Sequence, residues 1–190
     1  MAYLCPTCSR AVLSRATQHC SYCGAQLPPD LFTHPTKRHT RITPPHDYFG
    51  SMKLDEKRRL YSATLEFSPT HKVSVLIDWM GTAPAEALKR SQEVCERVRA
   101  REPEYRSRIA HDLLRLYNDN WRNGEELELL DADRFMRRIS LSGITIGAAD
   151  FGSSDGCVSL DYSAGDLFAG HSIEVHLDSD LQYVKSGIYG

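Results

Sequence analysis

From about Met52 onward the chain alternates apolar and polar positions. Tyr61, Ala63, Leu65 and Phe67 are separated by Ser62, Thr64 and Glu66, the period-two pattern of a half-buried strand. Ser68-Pro69-Thr70 marks a turn, and Val73, Val75, Ile77 and Trp79 repeat the alternation, so the two runs predict an antiparallel hairpin. The period then changes. Thr82-Ala83-Pro84 opens a helix, with Thr82 as cap and Pro84 in the first turn. Leu88, Ser91, Cys95 and Val98 recur at helical spacing with Ala87 and Val94 beside them, so Cys95 reads as a small core residue and not a nucleophile. Pro103 interrupts the pattern and predicts a second helix, whose apolar face is Tyr105, Ile109, Leu113, Leu116 and Tyr117. Asn118-Asp119-Asn120-Trp121 and Gly124 end it, while Arg106, Arg108 and Arg115 make a solvated basic side.

Asp131 is placed to cap a short third helix over 132–138, with Phe135 and Met136 facing inward. Strands are expected over 139–146, 157–162, 172–177 and 183–188. The apolar phase shifts from Ile139 and Leu141 to Ile144 and Ile146, which predicts a bulge near Gly143. The order ββαααββββ implies an α+β domain with a mainly antiparallel sheet packed with two or three helices. No G-x-G-x-x-G or P-loop accompanies it.

The first 28 residues have a different texture. Large apolar residues are few (Tyr3, Leu4, Val12, Leu13, Tyr22, Leu27), too few to fold so short a segment without a staple. Cys5-Pro6-Thr7-Cys8 and, after eleven residues, Cys20-Ser21-Tyr22-Cys23-Gly24 supply one: two C-x2-C pairs are the ligand pattern of a four-cysteine zinc site. Two residues between thiolates let one tight turn present both sulfurs to one ion. Gly24 offers the positive φ that completes such a turn, and Pro6 stiffens the first. Two disulfides would need an oxidising compartment, and the start MAYLCPTCSR lacks the basic and apolar stretches of an export signal. A thioredoxin-like redox pair would need a βαβ setting. One Zn2+ held by Cys5, Cys8, Cys20 and Cys23 is therefore favoured, with iron in the same ligands as the alternative. The segment is similar to the zinc ribbons attached to many bacterial proteins. His19, beside a ligand, reads as a surface residue or a support to the ligands.

Between 28 and 45 stand five of the nine prolines, interleaved with His34-Pro35-Thr36-Lys37-Arg38-His39-Thr40-Arg41, which predicts an extended, irregular connector. Tyr48 and Phe49 are expected to dock its end. The organisation read from sequence is thus a zinc ribbon at 1–28, a proline-rich linker at 29–51 and an α+β domain at 52–190. Charge divides along similar lines: five basic against two acidic side chains in the first 50 residues, and 18 against 23 in the rest, make +3 and −5. The overall −2 argues against a nucleic-acid coat, and no apolar run reaches the roughly 18 residues of a membrane span.

Three separated motifs carry a resemblance. Asn118-Asp119-Asn120-Trp121, Arg138-Ile139-Ser140-Leu141 and the run Gly165-Asp166-Leu167-Phe168-Ala169-Gly170-His171-Ser172-Ile173-Glu174-Val175 resemble the bacterial family called domain of unknown function 2262, in matching order over roughly residues 60–190. The resemblance implies no particular activity. It singles out Asn120, Trp121, Asp166, Gly170 and His171 as signature positions for binding. Asp166 and His171, joined by Asp161, are also the candidates for catalysis or for a second metal, since an Asp–His pair can tune an imidazole or ligate an ion. Against this, Asp166 can fix its own loop, no nucleophile stands at recognisable spacing, and Ser172 points away from His171 on a strand. His111 and His176 have no partner in sequence.

The expectation is a cytoplasmic, zinc-binding, non-catalytic bacterial protein whose partner is another protein, as for an immunity protein facing a toxin or a regulatory adaptor. An enzyme using Asp166 and His171, and a nucleic-acid reader built from the ribbon with Arg10, Arg15 and the basic linker, are the alternatives.

Overall fold

Tyr61, Ala63 and Leu65 alternate with polar neighbours, and in the computed structural model these three side chains are buried on one face of a strand. The structure describes residues 4–10, 12, 18–20, 22–28, 40–79, 83–122, 129–147 and 158–190. It divides into two compact units, Met1–His39 and Thr40–Gly190.

The larger unit holds one eight-stranded sheet in sequential order: β1 (Thr40–Ile42), β2 (Lys53–Asp55), β3 (Leu60–Ser68), β4 (His71–Asp78), β5 (Ser140–Ile146), β6 (Val158–Ser163), β7 (Ser172–Leu177) and β8 (Tyr183–Tyr189). Every neighbouring pair is antiparallel except β4 and β5, which are parallel. A parallel pair needs a crossover, and the helices supply it. These are α1 (Pro84–Leu116), a π-helical turn (Tyr117–Trp121) and α2 (Ala132–Arg138).

Register explains the core. Tyr61 faces Ile77, Ala63 faces Val75 and Leu65 faces Val73. Val75 and Ile77 then meet Ile144 and Ile146, Ile144 meets Leu160, and Leu160 meets Val175. One apolar face therefore runs unbroken from β3 to β7, and a slip of one residue anywhere would turn it to water. The bulge expected near Gly143 is present, as a register shift between Leu141 and Gly143 that restores the apolar phase. Phe49 is buried in the same core, and Tyr48 packs against it.

The α+β class stands, but the order ββαααββββ is corrected in two places. Two short strands precede the predicted hairpin, so the order begins with four strands, and β1 is built from the end of the stretch read as irregular linker. Three residues carry no measurable periodicity, and pairing with Lys53–Asp55 is what makes Thr40–Ile42 a strand. The two long helices are also a single one of 33 residues that passes through Pro103. A proline inside a helix costs about 3 kcal/mol. The buried stripe of Ser91, Val94, Cys95, Val98, Tyr105, Ile109 and Leu113 continues through it without a change of face. Burying the side chains after Pro103 contributes about 1.5–3 kcal/mol each, so packing outweighs the proline.

Local signals hold elsewhere. Pro84 lies in the first turn of α1, and the Asp131 carboxylate caps α2 by accepting from the Arg134 amide at 2.7 Å. Thr82, Gly124 and Cys157 lie outside the described residues, as do Arg15, Asp150 and Asp155. Cys95 is fully buried in the core. A nearly buried Glu102 binds Arg106 at 2.6 Å, and Arg106 also donates to the Met136 carbonyl, tying α1 to α2. No helix among the described residues is long and apolar enough to cross a membrane.

Candidate metal centre and signature cluster

Each C-x2-C pair folds into the same tight turn. In the first, the Ser9 amide donates to the Cys5 carbonyl at 2.8 Å and the Cys5 amide to the Arg10 carbonyl at 2.9 Å. In the second, Gly24 donates to Cys20 at 2.9 Å and Cys20 to Ala25 at 2.8 Å. The residue after the second cysteine is left-handed in both, with φ +60° at Ser9 and +70° at Gly24. Gly24 suits that conformation; Ser9 adopts it at a cost the turn's hydrogen bonds must cover, and no glycine signal announced it. A hydrogen bond donated by the Leu27 amide to the Gln18 carbonyl, with a bridge between His19 and Gln26, closes the second turn.

The two turns bring all four sulfurs within 4.8 Å of one another. Cys8 and Cys20 are 3.6 Å apart, and Cys5 and Cys23 are 3.7 Å apart. A disulfide requires about 2.05 Å, so these are free thiols. A tetrahedral ion with metal–sulfur bonds of about 2.3 Å places its sulfurs about 3.8 Å apart. The four cysteines can hold a metal ion. Cys5 and Cys20 are buried with Leu27, and Cys8 and Val12 pack against them, so the cysteines themselves form most of this small core.

Charge in the cluster is frustrated in the bare protein. The Cys8 and Thr7 amides directed at Cys5 hold its thiol down at about 6, although partial desolvation opposes them. The amides of Cys23 and Tyr22 lower Cys20 in the same way. At Cys23 the Ala25 amide pulls down, but desolvation and the neighbouring sulfurs of Cys8, Cys20 and Cys5 prevail, and the thiol is pushed up to about 12. Sulfurs this close cannot all ionise without a cation between them.

The larger unit gathers the three signature motifs into one place. The loop between β6 and β7 drives Leu167 and Phe168 fully into the core. Phe168 meets the ring of Tyr117 edge-on at 5.9 Å, Trp121 at 5.5 Å and Phe135 at 6.2 Å. His171 stands edge-on to Trp121 at 5.7 Å. Asp166, highly exposed, binds Arg138 at the end of α2. Gly165, Ala169 and Gly170 are left-handed, which is how eight residues turn back so sharply. Trp121 reaches the ring cluster because the helix ends in a π turn, marked by the Arg122 amide donating to the Tyr117 carbonyl at 3.0 Å. Trp121, Asp166, Gly170 and His171 thus belong to one neighbourhood. Asn120 does not join by contact: its amide turns back toward the Leu116 carbonyl at 3.5 Å. Asn118 has the larger part, donating to the Leu130 carbonyl at 2.9 Å and accepting from the Leu130 amide at 3.1 Å.

This convergence coincides with a family match. A family described as "Uncharacterized protein conserved in bacteria (DUF2262)" matches residues 46–188. The chain belongs to that family. The DUF2262 region takes in the whole signature cluster and leaves out the four cysteines. No curated protein and no solved structure matches the chain.

The single histidines find acidic partners close by in the chain. His111 pairs with Asp112 at 3.1 Å, and Asp112 accepts from the Tyr183 hydroxyl. His176 lies 3.7 Å from Glu174 on the same strand. Asp161 stands opposite Glu174 across β6 and β7, on the face of the sheet away from the core.

Proposed function

We propose that residues 1–28 are a zinc ribbon and that the chain is a non-catalytic protein-interaction module, its ribbon and its DUF2262 domain each presenting a surface to a protein partner. The observation that carries the metal assignment is the sulfur geometry: separations of 3.6 and 3.7 Å match the edges of a zinc tetrathiolate. Cys5, Cys8, Cys20 and Cys23 would hold the ion, and it would supply the folding free energy that Leu27 and Val12 cannot.

Support for a binding role over a catalytic one comes from what the signature residues are engaged in. Asp166 is spent on Arg138 and His171 packs on Trp121, so both are occupied in holding the loop that seats Phe168. The net −5 of residues 51–190 suits a domain that covers a basic partner surface, as an immunity protein or a regulatory adaptor would. On the ribbon, the Arg10 guanidinium lies over the Tyr22 ring at 4.9 Å, an exposed cation–aromatic pair suited to a protein contact.

Metal analysis of the purified full chain tests the first part: one equivalent of zinc is expected, and well under one in Cys8→Ser. One equivalent of iron would replace zinc in the assignment, and neither metal would overturn it. Affinity capture from the native host tests the second: one protein retained at stoichiometric yield supports it, and retention of nucleic acid alone, released by salt, defeats it.

A further inference from the structure

The four clustered cysteines differ in exposure. Cys5 and Cys20 are buried, Cys8 is half-buried and Cys23 is exposed. Two sulfur pairs cross from one turn to the other: Cys23 faces Cys5 at 3.7 Å, and Cys8 faces Cys20 at 3.6 Å. Each joins a reachable sulfur to a shielded one. An oxidant arriving from solvent meets Cys23 and Cys8 first, and each has a second thiol in contact to complete a disulfide. Closing either pair to the S–S bond length needs a movement of about 1.6 Å.

Pairing across the turns ties the segment together, and pairing within them does not. The crossed pairs span 18 and 12 positions of chain, and Cys8–Cys20 nests inside Cys5–Cys23. Disulfides that close such loops restrict the unfolded chain strongly. A disulfide inside either C-x2-C would only fix a turn that the Ser9–Cys5 and Gly24–Cys20 backbone hydrogen bonds already close. With little besides Leu27 buried beside the sulfurs, the segment needs a staple of one kind or the other.

We infer that these cysteines are a peroxide-modification site: hydrogen peroxide turns them into two disulfides, Cys5–Cys23 and Cys8–Cys20, and the smaller unit exchanges a bound ion for covalent staples. The Cys23 thiolate attacks one peroxide oxygen, the O–O bond breaks, and the departing hydroxide is protonated to water, leaving a sulfenic acid. The Cys5 sulfur then attacks the Cys23 sulfur, forms the S–S bond and expels a second hydroxide, again taken up as water. Cys8 and Cys20 repeat the sequence. Four thiolates, two peroxides and four protons give two disulfides and four waters, each peroxide being reduced by two electrons. The first disulfide removes two of the four sulfurs able to hold an ion, and the second removes the rest. Release of an ion rests on the metal-centre reading above; the pairing rests on the sulfur geometry alone.

Peptide mapping of the full chain tests it, after treatment with a small excess of hydrogen peroxide and alkylation of the remaining thiols in denaturant, with metal content measured before and after. Trypsin cleaves after Arg10 and Arg15, so Cys5 and Cys8 fall on one peptide and Cys20 and Cys23 on another. The two peptides are expected to stay joined until reduced, with fragmentation between the cysteines of each assigning Cys5 to Cys23 and Cys8 to Cys20. Cys95, fully buried in the larger unit, is expected to remain an alkylatable thiol. Bound metal should fall from one equivalent to under about a tenth, since the thiolates that hold it are gone. Amide dispersion at 4–28 should survive oxidation, although a chelator under reducing conditions abolishes it. Disulfides within either C-x2-C, the other crossed pairing, thiols left intact or carried on to sulfinic acids, or loss of dispersion in the oxidised chain would each overturn the proposal. A chain found without metal before oxidation defeats the metal-centre reading alone, and the mapping still decides the pairing.

Discussion

The ring of Phe168 stands edge-on to that of Trp121, 5.5 Å between centroids, although 46 positions separate them in the chain. Phe168 comes from a loop and Trp121 from the end of a long helix. Their contact is what ties the β6–β7 loop to the crossover between β4 and β5. Truncating Phe168 to Ala leaves a cavity among Tyr117, Trp121 and Phe135 and is expected to cost about 3–5 kcal/mol. Urea unfolding followed by circular dichroism measures this; a loss below 1 kcal/mol would mean the loop is not held by its aromatic side chain.

Asn118 fixes Leu130 through both its amide nitrogen and its carbonyl oxygen. Asn118→Asp keeps the acceptor and replaces the donor by an oxygen facing the Leu130 carbonyl. Destabilisation of about 1–3 kcal/mol is expected, whereas Asn120→Asp, on an exposed side chain with one long contact, should change stability by less than about 0.5 kcal/mol. Equal effects at the two sites would contradict this division.

Metal removal should act on one unit only. The core of the smaller unit is made of Cys5, Cys20 and Leu27, while the larger unit has its own extensive core. A strong chelator or Cys8→Ser is expected to collapse the amide resonances of residues 4–28 and to leave those of 40–190 in place. Structural zinc supplies about 10–16 kcal/mol in small fingers, so no partial folding should survive. Retained dispersion at 4–28 after complete metal removal would show that the turns fold unaided.

Asp161 should make the larger unit more stable in mild acid than at neutrality. Burial chiefly, and the Glu174 carboxylate in addition, raise its carboxyl above the ordinary value. An acid raised on folding binds its proton more tightly folded than unfolded, so its contribution is favourable below the ordinary value and is lost as pH rises through the folded one. Asp161→Asn is therefore expected to raise the urea midpoint at pH 7, with the gain shrinking toward pH 3.5. A variant less stable than wild type at pH 7 would reverse the sign of this argument.

Pro103 lies in mid-helix and removes one backbone donor from α1. Pro103→Ala should raise stability by roughly 1–3 kcal/mol, read from the thermal midpoint. A destabilised variant would show that the proline's own packing and stiffness outweigh the lost hydrogen bond.

Local chemistry determined a good deal from sequence alone. Two cysteines around two residues define a turn wherever they stand, so Cys5, Cys8, Cys20 and Cys23 were legible as a set able to hold one ion. The same holds for the alternation that sets Tyr61, Ala63 and Leu65 on one face, for the Asp131 cap and for the bulge at Gly143. Tertiary structure decided what depends on distant partners. Pro103 reads as a break because its neighbours along the chain cannot reveal the continuous core that holds α1 together. Thr40–Ile42 becomes a strand only because Lys53–Asp55 lies beside it. The roles of Asn118, Arg138 and Phe168 are invisible one motif at a time, since burial and hydrogen bonding act across space and the chain brings those motifs together only when the sheet closes around its crossover.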